Sequence, residues 1–355
     1  MLGRYNLGQL LSMAGIAEGV ENSNFLLRTD KANFILTLYE KRVDEADLPY
    51  FLGLMEHLSK TGLQCPVPIK DNTGKVQQSC AGRVAAIVSF MDGTSQKFPN
   101  VEKCAELGRS LAHFHLESSS FALKRNNTLG PDSWLPLLRS VNSELADMPE
   151  NLKEQAETII HQLTDAWPAQ LPAGHIHADL FPNNALFVGD KLTGIIDFYF
   201  ACNDLYSYDL AVCLNSWCFD KDGSFNISKS AHLLRSYQAI RPLTEDEKQN
   251  LHVLCSGAAM RFFLTRLYDW INTPSDAMVK PLDPLEFWAR LRFHQKVTGP
   301  GDYGLCRDQP TERKNCPSLH RRCLSRQSRA RWLGRGVKLG RTNEGVIGGP
   351  GGHNE

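Results

Sequence analysis

Alternating apolar and polar residues indicate that the first part of the chain is rich in strands. The segments NFLLRT (residues 24–29) and NFILTLY (residues 33–39) alternate on either side of DKA, a turn signal, and predict a β-hairpin. The small-residue segment AGIAEGVENSN before them is predicted to be a loop. Apolar residues at helical spacing follow in residues 44–60, CPVPI breaks that helix, and GRVAAIVSFM (residues 82–91) is predicted to be another strand.

Helical spacing dominates after about residue 92. CAELGRSLAHFHL repeats leucines along one helical face, and Thr244 with Glu247 forms the Thr-x-x-Glu capping box of a long helix. Short strands around a Gly-Asp turn interrupt the helices between them. We therefore predict an α+β, bilobal chain with a small strand-rich N-terminal lobe (residues 1–92), a larger, mainly helical lobe (residues 93–297), and a cleft between them. The predicted buried stripe of the long helix is Leu251, Leu254, Ala258 and Phe262.

Charge and glycine content distinguish the C-terminal segment from the rest. The whole chain has zero formal net charge and no apolar run long enough to span a membrane, so neither nucleic acid nor a membrane is an expected partner. From Thr298 onward, however, eleven Lys and Arg stand against five Asp and Glu, and eleven of the 27 glycines lie there without apolar periodicity. Residues 298–355 are therefore predicted to be a disordered tail, either a plain extension or an out-of-frame translation of the gene's end. An RNA- or membrane-binding arm is the less favoured interpretation.

The cysteines favour a reducing compartment. All ten are scattered and none forms a CxxC pair, which argues against a zinc ribbon and favours buried thiols. The N-terminal segment MLGRYNLGQLLSMAG lacks the apolar core of a secretory signal. The sequence thus predicts a cytoplasmic protein.

Two histidines and an aspartate alternate in the central segment HIHADLFPNN. The run of His175, His177 and Asp179 resembles the start of the His-x-His-x-Asp-His motif of metallo-β-lactamase-type hydrolases. Its sixth position is Leu180, however, and imidazole-rich zinc ligation needs at least one more histidine there. A dinuclear metallohydrolase is therefore the disfavoured interpretation.

The same segment, taken from the second histidine, has the HxDxxxxN spacing of a protein-kinase catalytic loop. Its members are His177, Asp179 and Asn184, and an apolar strand then leads to Asp197. Phosphoryl transfer to an alcohol needs a carboxylate that orients the hydroxyl and accepts its proton, a role that suits Asp179. Mg²⁺ takes carboxylate and amide oxygens, which Asp197 and Asn184 would supply from opposite ends of a Gly-Asp hairpin. His177 is interpreted as an organiser of the loop and His175 as a structural residue.

The segments HADLFPNNALF and GIIDFYFAC closely resemble the catalytic core of the aminoglycoside phosphotransferase/choline kinase-like enzymes, and within them the bacterial homoserine kinase branch. The resemblance extends over GIAEGVENSNFLL, LPYFLGLMEHL, LGRSLAHFHL and YDLAVCLNSWC, and covers roughly residues 5–295 without the tail. It implies a protein-kinase-like fold, ATP and Mg²⁺ as cofactors, Asp179 as the catalytic aspartate, and Asn184 and Asp197 as the metal ligands. It also implies that Asp209 supports the catalytic loop, although Asp209 equally fits the cap of a helix.

Two features depart from the pattern of that group. Many members carry a lysine on the third strand that contacts the ATP phosphates and pairs with a helix glutamate, but here these positions fall on Thr37 and near Phe51. Lys31, Lys41 and Arg42 are the candidates for a replacement cation. Relatives usually also have a short helix before RYNLG, so this chain is expected to begin late.

The segment GIAEGVENSNF is predicted to cover the nucleotide phosphates. Gly15 and Gly19 would let the backbone approach, and amides near Asn22 and Ser23 would bind phosphate oxygens. An ordinary Gly- and Asn-rich strand connection is the alternative interpretation.

The acceptor site is predicted from the chemistry of homoserine, whose ammonium and carboxylate require an acid and a planar cation. The long helix offers Arg261, Arg266 and Asp269, while Tyr199 and Asp204 follow Asp197 closely. For the helix residues, an ordinary salt-bridged face is the alternative interpretation.

The sequence therefore predicts ATP- and Mg²⁺-dependent phosphorylation of L-homoserine to O-phospho-L-homoserine, a step of threonine biosynthesis. Three alternatives stay open. A choline-like acceptor would use an aromatic cage, to which Trp217 and Trp270 could contribute. An aminoglycoside would use an acidic rim, and a non-catalytic nucleotide-binding pseudokinase would explain the missing lysine–glutamate pair. No oligomeric state is predicted.

Overall fold

A computed structural model of the chain describes residues 1–16, 22–40, 44–141, 149, 151–274 and 280–305. They lie in one compact unit, Met1–Arg307. The strands are β1 Leu10–Ile16, β2 Asn22–Thr29, β3 Asn33–Tyr39, β4 Gln77–Cys80, β5 Arg83–Ser89, β6 Ala173–Ile176, β7 Ala185–Val188, β8 Lys191–Ile195 and β9 Cys202–Leu205. The helices are α1 Leu48–Thr61, α2 Val101–Glu117, α3 Pro131–Ser140, α4 Leu152–Asp165, α5 Tyr206–Trp217, α6 Ile227–Gln238, α7 Glu245–Asn272 and α8 Leu285–His294.

The first part of the chain forms an antiparallel sheet of five strands in the order β1-β2-β3-β5-β4. The predicted hairpin is confirmed as β2 and β3, with Asn22 opposite Tyr39 at one end and Arg28 opposite Asn33 at the other. One face of the sheet packs Leu27 and other apolar residues against the N-terminal segment. On the opposite face, Tyr39 joins the main core of the molecule, which also holds the apolar side of α1. The predicted lobe boundary at residue 92 falls in the segment that joins β5 to α2, and it stays a prediction.

Part of the segment predicted to be a loop before the hairpin is a strand. Ala14, Gly15 and Ile16 belong to β1 and pair with β2 as far as Asn24. Every residue of β1 is exposed, so its sequence lacks the alternation of apolar and polar residues from which a half-buried strand is predicted. Only the pairing with β2 defines this strand. Gly19 lies outside the described residues.

The second part is built on helices that pack closely. α7 opens with the predicted capping box, in which Thr244 accepts a hydrogen bond from the Glu247 amide (3.1 Å) and Glu247 accepts one from the Thr244 amide (2.9 Å). All four residues of its predicted stripe are buried. α2 and α6 approach each other so closely at Gly108 that a Cβ added there would lie 2.2 Å from the carbonyl oxygen of Leu233.

The ordered part of the chain continues beyond the predicted start of the tail. Residues 300–303 form a short 3₁₀ helix, and Tyr303 is fully buried. The Tyr303 hydroxyl lies 2.9 Å from Nδ1 of His294, and Ser230 donates to the Tyr303 carbonyl (2.8 Å). The prediction of disorder from residue 298 is thus wrong as far as Leu305, because one aromatic anchor holds a segment that has no apolar periodicity. Residues 306–355 lie outside the described residues.

Cysteines in the described residues are free thiols, and six of the seven are buried. Burial raises the pKa of Cys65 to about 12, which keeps such thiols protonated and unreactive. None of the helices described is both long and apolar enough to cross a bilayer.

Candidate active site

The predicted catalytic residues lie on the loop between β6 and the β7–β8 hairpin. β6 pairs with β9, and His177 follows directly after β6. A short 3₁₀ turn ends at Asn184, immediately before β7, and Asp197 comes just after β8. The hairpin brings these two ends together, since the Ile196 amide donates to the Asn184 carbonyl (2.9 Å). The predicted Gly-Asp hairpin is therefore confirmed, and Asn184 and Asp197 are neighbours in space.

Asn184 is tied directly to Asp179. Its Nδ2 donates to the Asp179 backbone carbonyl (2.8 Å) and approaches Asp179 Oδ2 (3.3 Å). Because the amide nitrogen is engaged in this way, the other end of the nearly buried Asn184 side chain is an oxygen acceptor. The Asp179 carboxylate itself keeps 18% of its side-chain surface exposed, as a group that meets a substrate must.

Two residues of the site adopt left-handed backbone conformations that are uncommon outside glycine. Ala178 has φ 61° and Asp197 has φ 65°. Both peptide groups of Ala178 are held by buried side chains, since its amide donates to Asp209 (2.8 Å) and its carbonyl accepts from Arg261 (2.6 Å). Strained backbone persists where the surroundings hold it, and here it fixes the direction in which Asp179 leaves the loop.

Asp209, on the first turns of α5, is the carboxylate that holds the loop. Its Oδ2 accepts from the His177 amide (2.8 Å) and from Nε2 of His115 (3.1 Å), while its Oδ1 accepts from the Ala178 amide. Burial would raise the pKa of the fully buried Asp209 carboxyl, but the hydrogen bonds from the His115 ring and the His177 amide bring it below its usual value. Of the two interpretations that the sequence left open, the hydrogen bonds of Asp209 favour support of the loop.

His115 is a functional neighbour that sequence reasoning missed. It is fully buried in α2, its Nε2 lies 3.1 Å from Asp209, and its Nδ1 lies 2.7 Å from the Tyr237 hydroxyl. Burial lowers the pKa of His115, so the neutral ring donates through Nε2 and accepts through Nδ1. The only signal in the sequence was a histidine on an otherwise apolar helix face.

The contacts of His177 are consistent with its predicted role as an organiser of the loop, because its Nε2 lies 3.0 Å from the Ile196 carbonyl. Burial lowers the pKa of this ring, so it is a neutral donor that links the residues before Asp179 to those before Asp197. His175 is also structural, with Nδ1 2.9 Å from the Tyr50 hydroxyl and Nε2 3.1 Å from the Phe121 carbonyl.

The zinc-hydrolase interpretation has no support in the described residues. Both ring nitrogens of His175 and the Nε2 of His177 have protein partners. In the part of the chain that the structure describes, no group of three His, Cys, Asp or Glu residues could hold a metal ion. A site of one carboxylate and one amide oxygen is instead a donor set that suits a hard cation.

Asp197 lies open to the solvent on one side, while protein atoms surround it on the others. This desolvation raises the pKa of its carboxyl to about 6, and a hydrogen bond from the Tyr199 backbone opposes the rise. The protein alone therefore does little to stabilise the charged form of the Asp197 carboxyl. Such a carboxylate gains from a cation beside it.

The predicted phosphate-binding residues lie at the end of the hairpin nearest to residues 17–21. Ser23 donates to Glu40 (2.8 Å), and the Asn22 side chain accepts from the Glu40 amide (3.3 Å). Lys31 lies in the turn at the opposite end of the same hairpin, roughly 20 Å away along the strand, and its Nζ donates to Asn6 (3.0 Å). This position disfavours Lys31 as the replacement cation, and Lys41 and Arg42 lie outside the described residues.

The sequence predicts the loss of a lysine–glutamate pair at Thr37 and near Phe51, and both of these residues contact uncharged groups. The buried Thr37 hydroxyl donates to Asn24 (2.8 Å). Phe51 meets the Tyr199 ring edge to face, with centroids 5.7 Å apart, and the hydroxyls of Tyr39 and Tyr199 lie 3.2 Å apart. An aromatic and hydroxyl contact thus joins the sheet to the segment that follows Asp197.

The predicted acceptor residues have different partners in the structure. Arg261 lies beside Asp179, with its Nη1 3.7 Å from Asp179 Oδ1. Arg266 is bonded to Glu286 (2.7 Å), and Asp204 accepts from Asn127 (2.7 Å), while burial raises the pKa of Asp204. Asp269 lies further along α7 than either arginine.

The two tryptophans considered for a choline cage differ in how deeply they are buried. Trp217 is fully buried and donates from its indole nitrogen to the Leu180 carbonyl (2.8 Å), so it supports the loop and cannot form a cage. Trp270 lies partly exposed near the end of α7.

Comparison with known proteins places this geometry among phosphotransferases. Residues 12–243 match the model of the phosphotransferase enzyme family. A homoserine kinase of Rhizobium johnstonii is 52% identical over 304 residues, which make up 86% of this chain and 95% of that protein. A homoserine kinase of Xanthobacter autotrophicus is 53% identical with the same coverage.

Solved structures with the same fold are more distant in sequence. An amicoumacin kinase, hAmiN, in complex with AMP-PNP, Ca²⁺ and Ami, aligns with a TM-score of 0.60 at 14% identity over 83% of this chain and 93% of that one. An ethanolamine kinase of Plasmodium vivax aligns with a TM-score of 0.58 at 13% identity over 80% and 82%. These likenesses confirm the predicted fold class.

Proposed function

The chain belongs to the phosphotransferase enzyme family, in the branch of the homoserine kinases, and on this premise we propose that it transfers the γ-phosphoryl group of ATP to the hydroxyl of L-homoserine. The observation that carries the proposal is identity above 50% with homoserine kinases over 95% of their length. The product, O-phospho-L-homoserine, belongs to threonine biosynthesis, and we place the reaction in the cytoplasm.

Asp179 is the residue that we assign to the acceptor hydroxyl. In the proposed step the hydroxyl oxygen forms a bond to the γ-phosphorus while the bond from that phosphorus to the β,γ-bridging oxygen breaks. The hydroxyl proton passes to Asp179, and ADP leaves with the electron pair of the broken bond. Little covalent chemistry falls to the protein, so catalysis rests on position and charge, which the left-handed backbone at Ala178 and its two buried partners provide.

Mg²⁺ fits the donor set of Asn184 and Asp197. Asn184 uses its amide nitrogen on Asp179 and keeps its oxygen as an acceptor, and Asp197 carries a carboxylate whose pKa is raised to about 6 in the absence of a cation. When bound, the ion would neutralise charge on the nucleotide phosphates. The two residues would hold it from opposite ends of the β7–β8 hairpin.

We propose that the nucleotide base binds to an apolar surface on the sheet. Ala14, Leu26, Ile35 and Val88 lie opposite one another across β1, β2, β3 and β5, so their side chains form one row on one face. Ala14 is exposed and the next two are half-buried, which leaves this row open to a flat partner. We further propose that the nucleotide phosphates bind at the loop end of the same strands. The backbone near Asn22 and Ser23 would contact them, together with Gly19.

The test is ATP consumption by the purified chain with Mg²⁺, with L-homoserine screened beside choline, kanamycin and L-serine. We expect turnover with L-homoserine alone. Asp179→Asn should lower kcat by a factor of about 10² to 10⁴ while ATP still binds. The matched control is Asp165→Asn, the same change at an exposed position of α4. Normal turnover by Asp179→Asn would show that Asp179 has no part in the mechanism. Turnover with another alcohol but not with L-homoserine would show that this other alcohol is the acceptor.

A further inference from the structure

Arg261 is a buried cation beside the catalytic carboxylate. It lies in the middle of α7 and is 3% exposed, and its Nη1 donates to the Ala178 carbonyl (2.6 Å). The same nitrogen is 3.7 Å from Asp179 Oδ1, which is beyond hydrogen-bond distance. The guanidinium thus donates a hydrogen bond to the loop and forms an ion pair with Asp179 that is longer than a hydrogen bond.

The guanidinium has more donors than the protein satisfies. An arginine offers five N–H groups, but within the described residues one nitrogen, Nη1, makes a hydrogen bond, and the fully buried Nε has no partner. Leaving a buried charged donor unpaired is costly, so such a group normally meets an anion or water. The rings of Phe200 and Phe262 lie 5.1 and 4.1 Å from the guanidinium carbon and hold its plane in place.

A second unpaired polar atom lies in the same neighbourhood. The hydroxyl of Tyr208 is fully buried and has no hydrogen-bond partner in the described structure. Burial raises the pKa of Tyr208, and Arg261 is the charge that opposes this rise most. Asp204 also influences Tyr208 electrostatically, and its carboxylate already accepts a hydrogen bond from Asn127 (2.7 Å).

The position of Arg261 relative to Asp179 separates the acceptor from the phosphate side. Asn184, the proposed metal ligand, approaches Oδ2 of Asp179, whereas Arg261 approaches Oδ1. Asn184 and Arg261 thus meet different oxygens of the carboxylate. On this basis we assign the metal and phosphates to the Oδ2 side and the acceptor to the Oδ1 side, where Arg261 lies.

We propose that Arg261 binds the α-carboxylate of the amino-acid acceptor and thereby selects homoserine over alcohols without a carboxylate. This inference rests on the proposed function, whose acceptor carries its carboxylate only three carbon–carbon bonds from the reacting carbinol carbon. The planar fork of an arginine suits a carboxylate, and its unsatisfied donors are completed by the acceptor. Arg261 is thus a specificity residue, whereas Arg266 is already paired with Glu286.

The experiment crosses two enzymes with two acceptors. Wild type and Arg261→Met are assayed with L-homoserine and with 3-aminopropan-1-ol, which is homoserine without its carboxylate. Because Arg261 also holds the Ala178 carbonyl, we expect Arg261→Met to lower kcat for both acceptors alike. The KM for L-homoserine should rise by about 10²-fold, whereas the KM for 3-aminopropan-1-ol should change less than about threefold. Arg139→Met, an exposed guanidinium on α3, is the matched control.

A dead-end analogue supplies a readout that needs no turnover. L-2-Aminobutyrate has the carboxylate and ammonium of homoserine but no hydroxyl, and its inhibition constant should rise by about the same 10²-fold in Arg261→Met. If this variant does not fold, Arg261→Lys takes its place, because it keeps the charge and loses the fork. It should lose affinity for L-2-aminobutyrate in the same direction.

The outcomes separate this inference from the proposed function. Equal changes in KM for both acceptors, with an unchanged inhibition constant for L-2-aminobutyrate, would overturn it and leave Arg261 as a positioning residue for the loop. A wild-type enzyme that is inactive on L-homoserine but active on another alcohol would instead overturn the proposed acceptor, and the inference with it.

Discussion

Asp209→Asn is the substitution that most directly tests how the catalytic loop is held. The carboxylate accepts three N–H groups, from His177 and Ala178 of the loop and from His115 of α2. Asparagine has one oxygen and one amide nitrogen, so either the single donor at Oδ1 or the two donors at Oδ2 must face another N–H. All of these groups are buried, and the charge that strengthens the hydrogen bonds is lost as well.

The expected magnitude follows from these contacts. Leaving a buried donor without an acceptor costs about 1–3 kcal/mol, and the loss of charge-assisted hydrogen bonds brings the total to about 3–5 kcal/mol. In a chain of this size that corresponds to a Tm lower by roughly 4–8 °C. Because the displaced segment carries Asp179, a shift of about 1 Å would reduce kcat by about 10²-fold.

The assay combines thermal unfolding, kcat and ATP binding. The matched control is Asp132→Asn, which makes the same change in the exposed first turn of α3 and reports only on the helix end. Asparagine caps helices as well as aspartate does. If Asp209 were merely a cap, Asp209→Asn would therefore behave like Asp132→Asn, and a kcat within threefold of wild type would refute the loop-holding role.

Two further predictions concern packing and pH. Gly108→Ala should destabilise the fold by about 2 kcal/mol or more, because its Cβ would lie 2.2 Å from the Leu233 carbonyl oxygen, whereas Gly3→Ala, with no atom within 4 Å, should change the unfolding free energy little. Burial, aided by Arg290, lowers the pKa of His294 to about 3 from 6.5. The unfolded chain therefore binds a proton that the folded chain does not, and stability falls as pH drops below about 6.5, by about 1.4 kcal/mol per pH unit. Urea titrations between pH 5 and 7 should show this slope reduced in His294→Gln; equal slopes in both proteins would contradict the assignment.

Local chemistry explains what the sequence could predict. The β2–β3 hairpin, the Gly-Asp hairpin and the capping box at Thr244 each depend on residues a few positions apart, whose turn and cap preferences act without the rest of the fold. The loop from His177 to Asn184 was predictable for the same reason.

Long-range contacts explain what could not be predicted. His115 meets Asp209 across 94 positions and Arg261 meets Ala178 across 83, and no spacing within one sequence encodes such a pair. β1 was missed because all its residues are exposed, and the structure of residues 300–305 was missed because contacts of Tyr303 with His294 and Ser230 hold it.

The burial of uncharged side chains at Thr37 and Phe51 has an evolutionary consequence. A lineage that carries a lysine and a glutamate at the first two positions cannot reach this arrangement by either change alone without leaving one buried charge unpaired. Such a charge costs several kcal/mol, a large share of the stability of an ordinary domain. The same barrier opposes the return, since Thr37 is 3% and Phe51 1% exposed. We therefore expect the two positions to be epistatic, so that sequences change them together or not at all.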